Sequence, residues 1–353
     1  MCEYELARLS ANTPSAHYLS PAAPPPGADQ SHPGDQPWPV AIRVVACRRL
    51  NLCAAAFRVL AMTPADKRHH FPSPPLRRWF SHDVRTQLSR VRALILTMLG
   101  QPRGFFTQYA YANHVQPVTE PYFEVEKLFA ASPFPDFMAE IETHVDAFRG
   151  FGESPTDPVL GRGIFPALDG MAAYAAVRKF KPNRIIEIGS GDSTYFLARG
   201  VQDNQHGMIT CIDPAPKREI TALGVALKPR MLTSADAALA AALEENDILF
   251  IDSSHIMLPG MDVDIQFNRF FPRLQKGVIV HLHDIFLPDG YPTHWRLRNY
   301  TEQNALIGWL LGGYFELIWC GYYVVARRPD IISDGLREIA PMDVAGSLWL
   351  RRA

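Results

Sequence analysis

The sequence predicts a doubly wound α/β fold: a mostly parallel, seven-stranded sheet covered by helices on both faces and closed by a terminal antiparallel hairpin. Three observations carry this expectation. From Asn183 onward, short apolar β-branched runs alternate with stretches of helical spacing, the pattern of strands joined by crossover helices. Three of those runs end in an acid or are followed at once by one: Asp213, Asp252 and Asp284. The first run leads into a glycine-containing turn, Glu187-Ile188-Gly189-Ser190-Gly191-Asp192-Ser193, at the place where a doubly wound sheet binds its ligand.

In chain order, the first 80 or so residues are crowded with Pro14, Pro21, Pro24, Pro25, Pro26, Pro33, Pro37 and Pro39, a composition that predicts disorder. From Ala41 to Arg92 the charge is almost entirely positive, with Asp66 and Asp83 the only acids. Two readings stay open there: a segment that meets a membrane surface or an anionic partner, and an accessory extension with no dedicated partner. Residues 1–100 are expected to be this extension, residues 101–160 a helical cap and residues 161–353 the main domain with a C-terminal tail. Ordered structure is expected from near Phe105. Helical patterning covers Tyr122 to Leu128 and Phe137 to Phe148. Strands are expected at Arg184 to Ile188, Met208 to Asp213, Asp247 to Asp252 and Gly277 to His283, with a weaker one near Ala226 to Met231. Ser193 to Arg199, Ala235 to Leu243, Val263 to Leu274 and Glu302 to Leu311 have helical spacing. Tyr314 to Trp319 and Tyr322 to Ala326, separated by Cys320-Gly321, predict the closing hairpin.

The chain of 353 residues carries 35 Lys+Arg against 36 Asp+Glu, a formal net charge of -1. That balance provides no basic field to collect nucleic acid, so a small-molecule or glycan partner is the simpler expectation. The 5 cysteines are scattered without CxxC spacing, which argues against a disulfide framework or a structural zinc site and fits a reducing cytoplasm. No apolar run is long enough to predict a transmembrane segment. Oligomeric state stays open, a homo-oligomer included.

Gly189 and Gly191 let the backbone turn sharply and approach a ligand, and the helix after them aims free N–H groups at the same place. A dinucleotide fingerprint would need glycine where Thr194 stands and rarely carries a carboxylate where Glu187 does. Glu187 would suit the cationic amino acid end of a cofactor. Asp213 stands 22 positions beyond Gly191, close to the separation of about 20 at which an acid reaches ribose hydroxyls.

Together, Glu187-x-Gly189-x-Gly191, Asp213 and the closing hairpin resemble the class I S-adenosylmethionine-dependent methyltransferases, over about residues 160 to 330, with Gly346 to Arg352 adding to the match. The resemblance implies a Rossmann-like sheet, S-adenosyl-L-methionine as cofactor, and cofactor contacts from Glu187, Gly189, Ser190, Gly191, Ser193 and Asp213. Ser193 departs from the family's usual third glycine.

Asp247 to His255 and Gly277 to Pro292 hold the candidate chemistry. If both apolar runs are neighbouring strands, Asp252 and Asp284 emerge together, and two converging carboxylates call for a proton or a hard divalent cation. The arrangement resembles the metal-dependent O-methyltransferases, including those that modify macrolide sugars. The resemblance implies Asp252 and Asp284 as ligands of a divalent metal, Mg2+ first, with His283 as a further ligand. That family also has a histidine three residues after the first acid as general base, the offset at which His255 stands. The second acid or asparagine usual beside Asp284 is replaced by His283 and Ile285, so His281-x-His283-Asp284 leaves a transition metal open. Tyr291, Pro292, His294 and Trp295 suit an acceptor wall or lid. The function implied is methyl transfer to a hydroxyl of a sugar or natural product. A metal-dependent hydroxylase on the same fold and a non-catalytic cofactor-binding scaffold are the alternatives.

Overall fold

A computed structural model describes residues 82–101, 103–104, 109–116, 120–162 and 164–353. The chain divides into two compact units, Met1–Phe106 and Thr107–Ala353. The proline-crowded stretch and most of the basic segment lie outside the described residues. In the first unit, helix α1 spans His82–Met98, well before the expected onset of order at Phe105. Its sequence contains no proline or glycine, and Gly100, at φ +80°, follows its end as a left-handed residue commonly does.

The second unit opens with α2 (Phe123–Ala130), α3 (Phe134–Glu142) and α4 (Val145–Arg149). Phe129 and Phe134 meet edge to face at 6.0 Å, and Phe134 and Phe137 both pack on Trp319 of the sheet. Helix α5 (Ala167–Phe180) follows, with Ala167 to Val177 buried without interruption. A helix apolar on nearly every face shows no amphipathic period, which is why the spacing of the sequence did not reveal it.

The sheet comprises β1 (Arg184–Ile188), β2 (Met208–Ile212), β3 (Ala226–Lys228), β4 (Ile248–Ile251), β5 (Ile279–Leu282), β6 (Phe315–Cys320) and β7 (Leu348–Arg352), in the order β3-β2-β1-β4-β5-β7-β6. Strands β1 to β5 run parallel, and β7 is antiparallel to both β5 and β6. The expected class holds: seven strands, mostly parallel, with an antiparallel end. Helices α6 (Asp192–Asn204), α7 (Ala237–Ala241), α8 (Asp262–Ile265) and α9 (Glu302–Leu311) lie between the strands.

The closing hairpin differs from its expectation in its second arm. Tyr322 to Ala326 belongs to a helix, α10 (Gly321–Arg327), and the partner of β6 is β7, reached after α11 (Asp334–Arg337). A short apolar run such as Tyr322-Tyr323-Val324-Val325 fits a buried helix turn as well as a strand. Burial of Tyr323 and Val324 decides it here. The expected helix from Val263 to Leu274 is also broken, passing from α8 into a π-turn at Gln266–Phe270 and a 3-10 turn at Phe271–Arg273, where Pro272 cannot continue an α-helix.

Register places the site. Ile188 pairs with Ile251 across β1 and β4, and Ile251 with Leu282 across β4 and β5. The residues that follow these three positions, Gly189, Asp252 and His283, therefore leave the sheet side by side. Two backbone bonds extend the ladders to them: Asp252 N–H donates to Ile188 O at 2.9 Å and His283 N–H to Ile251 O at 3.0 Å.

Candidate active site

A cavity of about 290 Å³ opens beyond the carboxyl ends of β1, β2 and β4, lined by Gly189, Ser190, Gly191, Asp213, Met231 and Asp252 among others. Gly189 has φ +82°, and a β-carbon there would come within 1.9 Å of the Asp252 carbonyl oxygen. Only glycine fits. At Gly191 a β-carbon would meet nothing nearer than Lys217 Cβ at 3.6 Å, so the protein itself does not require glycine there and the open space faces the cavity.

Glu187 does not reach the cavity. It is fully buried and accepts hydrogen bonds from Ser193 Oγ at 2.8 Å, Thr194 Oγ1 at 2.7 Å and Cys211 Sγ at 3.2 Å. Through these bonds Glu187 clamps the glycine turn to the start of α6. Burial pushes its carboxyl up to about 7 against the pull of those donors. Ser193 is likewise turned inward, its hydroxyl spent on Glu187 although the residue lines the cavity. Asp213 does line the cavity. It accepts Ser190 N–H at 2.8 Å and Ala215 N–H at 2.6 Å, one at each oxygen, which leaves each oxygen a further lone pair.

Beside this cavity Asp252, Asp284, His255 and His283 converge. His255 Nε2 lies 3.4 Å from Asp252 Oδ1 and 3.4 Å from Asp284 Oδ2, and His283 Nδ1 lies 3.5 Å from Asp252 Oδ1 and 3.5 Å from Asp284 Oδ1. The other nitrogen of each ring meets a second, fully buried carboxylate: His255 Nδ1 with Glu302 Oε2 at 2.8 Å, and His283 Nε2 with Asp169 Oδ2 at 3.3 Å. The imidazoles are nearly sealed, whereas the Asp252 and Asp284 side chains keep 19% and 17% exposure and form the open edge of the cluster.

Electrostatics follow the geometry. Burial opposes a charge on His255, yet the Asp252 and Glu302 carboxylates push it up to about 10. Burial opposes it on His283 too, but Asp252, Asp169 and Asp284 hold that ring well above its ordinary value. Asp252, against its own burial, is held well below the carboxylate range by His283 and His255. Burial raises Glu302 despite its bond to His255. Two cluster residues also sit in the left-handed region, His255 at φ +59° and Asp284 at φ +57°, a strain that persists only where the surroundings enforce it.

All four residues expected at the carboxylate site therefore meet. His255, expected as a free base, has both ring nitrogens occupied by carboxylates and is 3% exposed. His281 is packed: its ring stacks on Phe250 at 3.7 Å, its Nε2 contacts Ser347 Oγ at 2.9 Å, and burial lowers it well below the usual histidine value. The loop after β5 gathers its aromatics. Phe286 contacts Tyr291 and Trp295, and Tyr300 contacts both of those and lies 4.6 Å from the His255 ring. Among the described residues, no group of three or more His, Cys, Asp or Glu side chains is arranged to hold a metal ion.

Asp169 and Glu302 were not anticipated. Asp169 also accepts Gly346 N–H at 2.8 Å and Ser347 N–H at 3.0 Å, joining α5 to the entry of β7. An acid inside the apolar run Ala167 to Val177 was the available signal, because an unpaired charge there would be costly. Glu302 offers less, since an acid in the first turn of a helix is ordinary.

A family model described as a methyltransferase domain matches residues 186–285, from β1 to just past Asp284. No curated protein matches the sequence. Among solved structures, cofactor-bound Rv0187 from MTB is 16% identical over 67% of this chain and 99% of its own, with a TM-score of 0.36. The O-methyltransferase TomG from Streptomyces achromogenes, involved in tomaymycin synthesis and solved with its cofactor, is 15% identical over 65% of this chain and 95% of its own, with a TM-score of 0.28. Likenesses at that level say nothing of chemistry.

Proposed function

We propose that the protein is a class I methyltransferase that transfers the sulfonium methyl group of S-adenosylmethionine to an acceptor hydroxyl, on a sugar or natural product, with a divalent cation at Asp252 and Asp284. The observation that carries this reading is that one cavity reaches from the glycine turn and Asp213 to Asp252. Its wall offers apolar Ile212, Pro214, Met231 and Leu232 for a flat base, and Asp213 oxygens for ribose hydroxyls. A cavity of this size with few polar groups suits a small organic ligand.

In the reaction the acceptor oxygen attacks the methyl carbon. The O–CH3 bond forms as the S–CH3 bond breaks, the electron pair returns to sulfur as a neutral thioether, and the hydroxyl proton must leave. Alignment of oxygen, carbon and sulfur contributes much of such catalysis. A divalent cation, when bound, polarises the acceptor hydroxyl and lowers its pKa. Asp252 and Asp284 would hold the cation, beside two imidazoles that are each oriented from behind by a buried acid. The acceptor proton leaves to solvent at the open edge of the cluster, where the Asp252 and Asp284 side chains keep 19% and 17% exposure. His255, closed in between carboxylates, is moved from the role of base to that of a group holding the cation. The aromatic loop with Tyr291, Trp295 and Tyr300 forms the acceptor side.

The test is direct. The purified protein is incubated with methyl-labelled S-adenosylmethionine and a divalent metal against pools of hydroxylated small molecules and glycans, and products are screened for the labelled methyl mass. Label appearing on oxygen supports the proposal. Oxygen insertion without methyl gain would favour a hydroxylase instead.

A further inference from the structure

Helix α1 (His82–Met98) presents an apolar stripe to solvent. Leu88, Val91, Ile95 and Met98 follow one another at steps of three and four residues, which places them on one helical face, and Leu94 and Leu99 widen it. All six are at least 40% exposed. Arg92 stands one turn after Leu88, and Arg90 one turn before Leu94, so a cation borders the stripe on each side. The opposite face carries the small residues Ser89, Ala93 and Thr97, and the Thr97 hydroxyl donates to Ala93 O at 2.8 Å. The sole acid in the sequence of α1 is Asp83, in its first turn, where a helix favours negative charge. Ahead of the stripe the sequence is basic as well: from Ala41 to Arg92, eleven Lys and Arg stand against Asp66 and Asp83.

We propose that α1 lies in the interface of an anionic membrane, its stripe against the acyl chains and Arg90 and Arg92 at the phosphates. An aliphatic face bordered by arginines and preceded by a polybasic sequence is suited to such a surface, which supplies apolar and anionic layers together. Arginine stems can lie along the apolar layer while the guanidinium stays at headgroup level. The spacing alone would also suit a second copy of α1, since steps of three and four make a coiled-coil seam. Charge opposes that pairing: past its first turn α1 has no acid to meet Arg90 or Arg92, and the stripe is shorter than the three or four heptads such a seam needs, roughly. A nucleic acid would engage the arginines but leave the stripe in water. Among the described residues no helix is long and apolar enough to cross a membrane, so α1 rests on the surface. The residues lining the cavity belong to the second unit, and membrane binding is measured without cofactor or acceptor.

The experiment floats the full chain with vesicles of phosphatidylcholine alone, or of phosphatidylcholine with an equal share of phosphatidylglycerol, at about 0.1 M and about 0.5 M salt. The expected result is recovery with the anionic vesicles at low salt, at least about tenfold weaker binding to phosphatidylcholine, and loss of binding at the higher salt. Leu88→Ser with Ile95→Ser should weaken binding to anionic vesicles at least about tenfold, and Arg90→Gln with Arg92→Gln about 10- to 30-fold. None of the four positions is buried, and circular dichroism checks that the variants keep the fold. No binding to vesicles, equal binding to both kinds, or a Leu88→Ser, Ile95→Ser variant that binds as wild type does would overturn the proposal. So would a dimer in solution that this variant dissociates while vesicles stay unbound, which would assign the stripe to a second copy.

Discussion

A β-carbon on Gly189 would come within 1.9 Å of the carbonyl oxygen of Asp252, so the glycine turn and the carboxylate-bearing strand end are in direct backbone contact. The two halves of the candidate site therefore cannot shift independently. Gly189→Ala should destabilise the fold by about 2–4 kcal/mol, since the left-handed backbone and the clash act together. Gly191→Ala, in extended backbone at φ 178° with ordinary packing distance around it, should stay within about 1 kcal/mol of wild type but weaken cofactor binding by occupying the cavity. Denaturant melts and calorimetry on the two variants separate these effects.

Glu187 yields a pH prediction. Burial raises its carboxyl to about 7 from an ordinary 4.5. Because the folded-state value is the higher one, the stabilisation is fully present below the unfolded value and is lost as pH rises through about 7. Wild type should lose up to about 3 kcal/mol from this group between those limits. Glu187→Gln should remove that slope, which paired urea titrations across the range would detect. A variant with the wild-type slope would show that Glu187 remains ionised in the fold.

Asp169 satisfies the Gly346 and Ser347 amides and His283 at once. Asp169→Ala leaves these buried donors without a partner and should cost about 3–5 kcal/mol. Asp169→Asn keeps a carbonyl acceptor and should cost less. Thermal and chemical denaturation measure both.

Chelation should abolish turnover while sparing S-adenosylmethionine binding, because Asp252 and Asp284 are proposed to hold the ion used by the acceptor. Asp284→Asn should likewise lower the single-turnover rate, on the order of 10²- to 10³-fold, with cofactor affinity nearly unchanged. Replacing His255 should remove the metal along with the rate. If His255→Gln keeps its metal and loses only the rate, proton abstraction returns to that ring.

Much of this arrangement was legible in the sequence, and the misses have physical reasons. Strands β1, β2, β4 and β5 are short apolar runs that end beside polar residues, so their termini announce Asp213, Asp252 and Asp284. The carboxylates Glu302 and Asp169 were not legible as partners, because each reaches its histidine across 47 or 114 positions and only the folded register brings them together. The orientation of Glu187 was also hidden: a carboxylate at the head of a glycine turn can face outward to a ligand or inward to hydroxyls. Ser193 and Thr194, one helical step away, draw it inward. β7 was missed as the second arm of the closing hairpin because Tyr322 to Ala326 reads equally well as strand or helix, and only tertiary burial separates the two.

The central claim is that the cavity at Gly189, Gly191 and Asp213 binds S-adenosylmethionine. Titration calorimetry with S-adenosylmethionine and with its demethylated product tests it most directly. The account predicts saturable binding of both at one site per chain, weakened at least about tenfold, or about 1.4 kcal/mol, by Asp213→Ala through loss of its hydrogen bonds to the ribose. Tight binding of NAD with no heat from either S-adenosyl compound would contradict it.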